Sequence, residues 1–231
     1  MPDTALSRFL DLARGGPPGG GRDIFNPWRD RDPDNDLAPE SPDHRLEHLR
    51  RYMEARRATA RILCVAEAPG YAGCKFSDLA MSSERDLIAA DGLFEDRFFD
   101  GPRHRTSRTK PGLKNASGML ERTATIVWEA MLGGGFGPRE FVLWNSHAWH
   151  PHQAGNRLSN RTPAPAEVEA GLPVLQALRD AFPGRPLLAI GQVCQRTLRE
   201  LGIDAIAVRH PSYGGAPEFR ARLATLRHEL D

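Results

Sequence analysis

The residues with chemistry to offer stand at the ends of short apolar runs. Glu67-Ala68-Pro69-Gly70 follows Ile62-Leu-Cys-Val-Ala66, and Asn145-Ser-His147 follows Phe141-Val-Leu-Trp144. Gly191-Gln192 follows Pro186-Leu-Leu-Ala-Ile190, and Arg209-His210-Pro211-Ser212 follows the weaker run Ile203-Asp-Ala-Ile-Ala-Val208. Brought together, these ends would supply a carboxylate (Glu67), an amide with both acceptor and donors (Asn145), an imidazole able to donate while neutral (His210) and a hydroxyl suited to a phosphate oxygen (Ser212). His147, His150 and His152 place three imidazoles close enough in sequence to gather around zinc, but no carboxylate or thiol accompanies them. Polar residues lining a pocket are the reading they favour, and no metal site is expected.

The ends meet only if the runs are neighbouring strands. Each run is short, continuous and apolar, the pattern of a strand buried on both faces of a parallel sheet. Helical periodicity separates them. Asp43–Ala60 carries an apolar stripe among arginines, and Leu120, Ala124, Val127, Trp128 and Met131 form a second stripe. Thr162 and Pro163 are read as cap and first turn of a third helix, and Gln192–Leu201 is a fourth, stopped by Gly202. Alternation of strand and helix predicts an α/β fold, a three-layer α/β/α sandwich with a central four-stranded parallel sheet. Ligands of such sheets bind beyond the carboxyl ends of the strands.

At 231 residues the chain suits one core. Residues 1–41 read as an amino-terminal extension and loop, with a flexible connector at Gly15–Gly21 and a surface stretch from Asn26 to Pro42 pinned by Trp28. Residues 42–231 read as a single domain. The 31 Lys+Arg and 30 Asp+Glu leave a net charge of +1, which excludes histone-like and acidic-tail proteins, so any polyanion must be held by local clustering. Residues 101–114 offer it: Arg103, Arg105, Arg108, Lys110 and Lys114 with no acidic side chain. Arg50, Arg51, Arg56, Arg57 and Arg61 form a second cationic stretch. Three cysteines that cannot all pair and no signal-peptide pattern predict a reducing, cytoplasmic setting. No apolar run reaches the roughly 20 residues needed to span a bilayer. Neither a Gly-x-x-x-x-Gly-Lys loop nor a Gly-x-Ser-x-Gly elbow is present, which disfavours nucleotide and ester hydrolysis.

Taken in order, Ala66-Glu-Ala-Pro-Gly70, Phe76-Ser77, the strand-ending Asn145 and His210-Pro-Ser212 resemble the uracil-DNA glycosylase superfamily. Asn160-Arg-Thr-Pro163 before an acidic helix is similar to the Glu-Ala-Pro-Gly-type, family 4-like branch. The resemblance spans roughly residues 62–220. It implies a uracil-DNA glycosylase-like fold and a monofunctional glycosylase that flips uracil out of DNA, hydrolyses the N-glycosidic bond and leaves an abasic site. The catalytic residues it implies are His210, Glu67 and Asn145. Uracil would be bound by Ala68, Pro69, Gly70, Tyr71, Phe76, Asn145, His147 and His210, with Phe76 stacking on the base. DNA would be held by Arg103, Arg105, Arg108, Lys110 and Ser212, with Tyr213 as the wedge entering the vacated stack. The partner is uracil-containing DNA, the protein a monomer without cofactor or membrane attachment, and the setting a bacterial-type cytoplasm at the nucleoid.

The chain departs from the superfamily in three places. The best-known branch carries Gly-Gln-Asp-Pro-Tyr, whose Asp orients the attacking water, and Ala68 occupies that position. Gly70 stands where the same branch has the tyrosine that excludes thymine, a task Tyr71 could take over. The iron–sulfur branch uses four cysteine thiolates, whereas this chain has only Cys64, Cys74 and Cys194, so no cluster is expected. Two alternatives stay open: a glycosylase for hypoxanthine or xanthine, and a uracil-DNA-binding protein without turnover.

Overall fold

A computed structural model describes residues 4–17, 23–89 and 97–230. The helix α1 (Thr4–Gly15) leads into a short strand β1 (Ile24–Phe25), helix α2 (Ser41–Glu54) and strand β2 (Ile62–Ala66). Two short helices, α3 (Cys74–Ser77) and α4 (Glu84–Ile88), precede α5 (Arg122–Gly133), β3 (Phe141–Asn145) and β4 (His150–Pro151). The chain finishes with α6 (Pro165–Ala181), β5 (Leu187–Ile190), α7 (Gln192–Glu200), β6 (Ile206–Val208) and α8 (Ala216–Glu229).

Four parallel strands form the central sheet in the order β3-β2-β5-β6. Every residue of β2, β3 and β5 is buried, because helices flank the sheet; α1 packs on α6, and α5 on α8. That double cover explains why these strands read as unbroken apolar runs. From β2 the chain crosses to β3 on one side, then returns past β2 to β5 on the other. The strand order therefore reverses between β2 and β5, and a crevice opens there at the carboxyl edge. The expected Thr162 cap is corrected: α6 starts at Pro165, and the Glu167 carboxylate accepts a hydrogen bond from the Ala164 N–H at 2.7 Å.

Helix α1 and Trp28 of the amino-terminal segment pack into the same core as the sheet. Leu6, Phe9 and Ala13 of α1 are buried in the same cluster as the sheet. The Trp144 ring of β3 meets Phe9 edge-on at 4.9 Å and stacks on Trp28 at 5.4 Å. Asn26 donates to the carbonyls of Ala13 and Arg14, closing the end of α1. The stretch from Asn26 to Pro42 is likewise tied down: Arg45 pairs with the buried Asp36, and Lys75 with the buried Asp32. Of the expected connector, residues 18–22 lie outside the described residues.

The second cationic stretch is also corrected. Arg56 is fully buried and donates to the carbonyls of Phe141, Tyr52, Phe98, Arg97 and Pro138. Arg50 and Arg51 are engaged with Glu47, and Arg50 also with Glu54. A guanidinium offers five donors in a rigid fork, so one buried Arg56 can knit five carbonyls from separate segments. Arg56→Met should lower unfolding stability by on the order of 3–5 kcal/mol, because it orphans buried carbonyls. Arg50→Ala should cost within about 0.5 kcal/mol; urea denaturation of both variants checks the contrast.

Candidate active site

A cavity of about 690 Å³ occupies the crevice where the strand order reverses. Its floor is built from strand ends. Register places Ala66 opposite Asn145, and the ladder runs one step further as Ser146 N–H donates to Ala66 O at 2.8 Å and His147 N–H to Glu67 O at 3.0 Å. These bonds hold the Glu67-Ala-Pro-Gly70 loop beside Asn145. Asn145 is 3 % exposed and lines the cavity, and none of the hydrogen bonds among the described residues uses its amide.

On the far side, His210 follows β6 and packs over Gly191. A Cβ on Gly191 would come within 3.2 Å of the His210 Cβ, and its φ is +87°, so glycine is needed there for both clearance and conformation. His210 Nδ1 lies 3.2 Å from Ser212 N and 2.6 Å from Ser212 Oγ. A backbone N–H can only donate, so Nδ1 is the acceptor and the ring proton of neutral His210 belongs on Nε2. Burial holds the imidazole below its ordinary titration range. The amino-terminal turn of α7 (Gln192, Val193, Cys194) also lines the cavity and contributes its partial positive charge.

Of the residues expected from sequence, Glu67, Ala68, Pro69, Gly70, Asn145, His210, Ser212 and Tyr213 line this cavity. Tyr213 is 99 % exposed with φ +50°, a side chain displayed at the rim. Phe76, Tyr71 and His147 are not among the lining residues. Phe76 is 1 % exposed and carries the Lys75 ammonium 3.9 Å from its ring centroid, so the expected stacking face is enclosed. Tyr71 contributes its backbone N–H, which donates to Asn160 Oδ1 at 2.9 Å. His147 is buried, with Nδ1 2.9 Å from Glu167 O, and burial lowers it to about 4.

The other two histidines of that loop serve its backbone. His150 Nδ1 lies 2.8 Å from Pro69 O, bracing the loop after β2, and His152 Nδ1 lies 2.9 Å from Gln153 O. Among the described residues no group of three or more His, Cys, Asp or Glu side chains is placed to hold a metal ion. The basic loop divides. Arg105 spends its guanidinium on the carbonyls of Ser107, Asn115 and Ala116. Arg108 and Lys110 line a separate cavity of about 800 Å³, together with Asp23, Asp34 and Arg157. Arg103 is half-buried and lines neither cavity.

Sequence reasoning missed several wall residues, chiefly Met81, Glu121 and Thr123. Met81 comes from the connection between α3 and α4, where no apolar period announces an element, and Glu121 and Thr123 from the start of α5, whose stripe marks the core-facing side of the helix and not its capping turn. Met81 has φ +48°, a strained backbone for a long side chain at a ligand-facing position.

The four-stranded parallel sheet with its flanking helices matches a solved fold. The crystal structure of wild-type SMUG2 from Pedobacter heparinus superposes with a TM-score of 0.65, over 98 % of this chain and 97 % of that one, at 11 % identity. No family model matches the chain, and no curated protein matches it. At that identity the likeness establishes the fold. No helix among the described residues is long and apolar enough to cross a membrane.

NMR of the His210 ring should show the Nε2–H tautomer near neutrality and a titration midpoint below about 6.5, the free-histidine value. Ser212→Ala should mix the tautomers, since one of the two donors to Nδ1 is lost. A midpoint above the free value would contradict the burial seen here.

Proposed function

We propose that the protein is a DNA glycosylase that excises uracil and leaves an abasic site. The observation that carries this reading is one cavity with an uncommitted buried amide, Asn145, at one strand end and a neutral imidazole, His210, at another, its proton on Nε2. An amide offers an acceptor for uracil N3–H and a donor for O4; cytosine presents the reverse pattern and leaves both groups unmatched. Rejection of cytosine follows from that mismatch, because buried polar groups without partners are costly.

Bond cleavage leaves the electron pair of the C1′–N1 bond on the base, with charge gathering at O2, while the sugar turns cation-like. His210 Nε2–H donates to O2 as the charge forms, and the α7 amino terminus adds to the positive field. Water attacks C1′ and gives up a proton. None of the described residues lining the cavity is a lysine, which supports hydrolysis without an imine intermediate and therefore no strand cleavage. Ser212 suits a phosphate oxygen, and Tyr213 on the rim suits the gap left by a flipped base. Met81, Ile190 and Val193 supply the apolar wall that Phe76 was expected to provide. The fold shared with SMUG2 agrees with this reading.

The volume of the cavity, about 690 Å³, leaves room for one second reading, a deaminated purine such as hypoxanthine or xanthine as substrate. Single-turnover release from oligonucleotides carrying one uracil, hypoxanthine or xanthine, scored by alkaline cleavage, separates the two. His210→Ala should slow release by about 10²–10³-fold, the usual cost of one oriented donor to a developing oxyanion. Asn145→Ala should lose selectivity for uracil over cytosine. Binding of uracil DNA with no base release from any of the three would instead identify a non-catalytic damage-binding protein.

A further inference from the structure

Two carboxylates line the cavity, Glu67 and Glu121. They are not equivalent. Glu121 retains some exposure as a residue, yet its Oε2 is sealed from solvent and has no hydrogen-bond partner among the described residues. It occupies the N-cap position of α5, where a carboxylate would ordinarily accept from the first N–H groups of the helix, and makes no such bond. The side chain gives up a stabilising cap and turns toward the loop after β2. Its backbone is fixed there: Glu121 N–H donates to Ser83 Oγ at 2.9 Å, and Ser83 Oγ donates to Glu121 O at 3.1 Å. Gly73 makes the room. A Cβ on Gly73 would come within 1.9 Å of Oε2, and a Cβ on Gly70 within 3.7 Å of Oε1.

Oε2 is enclosed against Gly73, so the oxygen that a water in the cavity can reach is Oε1, which accepts no hydrogen bond among the described residues and lies beside Gly70 on the cavity wall. Resting on the glycosylase reading above, we propose that Glu121 is the general base for hydrolysis, accepting the proton that the attacking water loses as its oxygen bonds to C1′ and the C1′–N1 bond breaks toward the base.

The electrostatics agree. Burial raises Glu121 to about 7, where a base combines adequate strength with a usable ionised fraction near neutrality. The Cys74 thiol of α3 lies near it, itself pushed well up by burial and so neutral. Across the cavity stand Glu67, Arg161, Arg209 and His210. Arg161 is engaged by Glu167 and Arg209 by Glu218, so neither neutralises Glu121. His210 is already neutral above its depressed titration range and does not shape the rate near pH 7.

The test is single-turnover base release by the full chain between about pH 5.5 and 9. The wild-type rate should climb through about pH 7 and level off. Glu121→Gln should reduce it about 10²-fold or more on the plateau and abolish the climb. Stability gives an independent readout. Because the folded carboxyl titrates above its unfolded value, its ionisation opposes folding increasingly as pH rises from about 4.5 through about 7. Glu121→Gln should therefore melt at the wild-type temperature in acid and above it at pH 8, whereas a merely structural glutamate would melt lower when replaced. Gly73→Ala, which must displace Oε2, should reproduce the loss of rate and add nothing to Glu121→Gln; it also serves if the glutamine variant does not fold. An active wild type whose Glu121→Gln variant keeps its rate and pH profile, or loses them only with Glu67→Gln, overturns the assignment alone. A wild type inert on every lesion overturns the glycosylase reading beneath it.

Discussion

The site depends on the in-register pairing of β2 with β3. Ala66 faces Asn145 across that ladder, and two further bonds from Ser146 and His147 carry it beyond the strand ends. A slip of one residue would turn every side chain of β3 to the opposite face of the sheet. Asn145 would then leave the crevice, and the loop after β2 would lose its brace. Burial on both faces makes such a slip costly, so the position of a polar amide is set by the packing of apolar neighbours.

Cationic side chains carry much of the load outside the sheet. Arg45, Arg56 and Lys75 are fully buried, each satisfied by carbonyls or a carboxylate. Together they tie the 23–40 segment, α2, α3 and the chain leading into β3 into one body. Charges taken from water need nearly complete hydrogen bonding to be tolerated, and the carbonyls around Arg56 meet that demand. Lys75 shows the residual strain of such burial: it is lowered to about 8 although Asp32 sits 2.8 Å away. With these cations inside, less of the positive charge is free on the surface than the composition suggests.

Around the cavity, burial acts on opposite kinds of group to one effect. It keeps His210 neutral and keeps the Glu121 carboxyl protonated to unusually high pH. Both shifts arise because a low-dielectric wall disfavours the charged form, which lowers an imidazole and raises a carboxyl. Groups near their neutral state at physiological pH can exchange protons with a substrate in either direction. Gly191 and Gly73 matter here as absences of bulk, allowing His210 and Glu121 to approach the loops beneath them.

The four apolar runs, the helices that alternate with them and the residues at the strand ends were legible from sequence alone, because double burial writes itself as continuous hydrophobicity and helices as a 3.6-residue period, whereas α8 and the two-residue strands β1 and β4 were not read. Eight residues expected at the site do line the cavity for that reason: strand ends in a parallel sheet converge whatever the loops do. What the sequence could not determine was which side chains turn inward from irregular segments. Phe76, Tyr71 and His147 carry suitable chemistry but belong to backbone bracing or enclosed packing, while Met81 reaches the cavity from a connection with no period to betray it and Glu121 from the capping turn of α5. Arg56 looked like a surface cation because a helix pattern cannot reveal that carbonyls from two distant segments, 97–98 and 138–141, converge just beyond its last turn. Those decisions belong to long-range packing and hydrogen bonding, which exist only once the chain has folded.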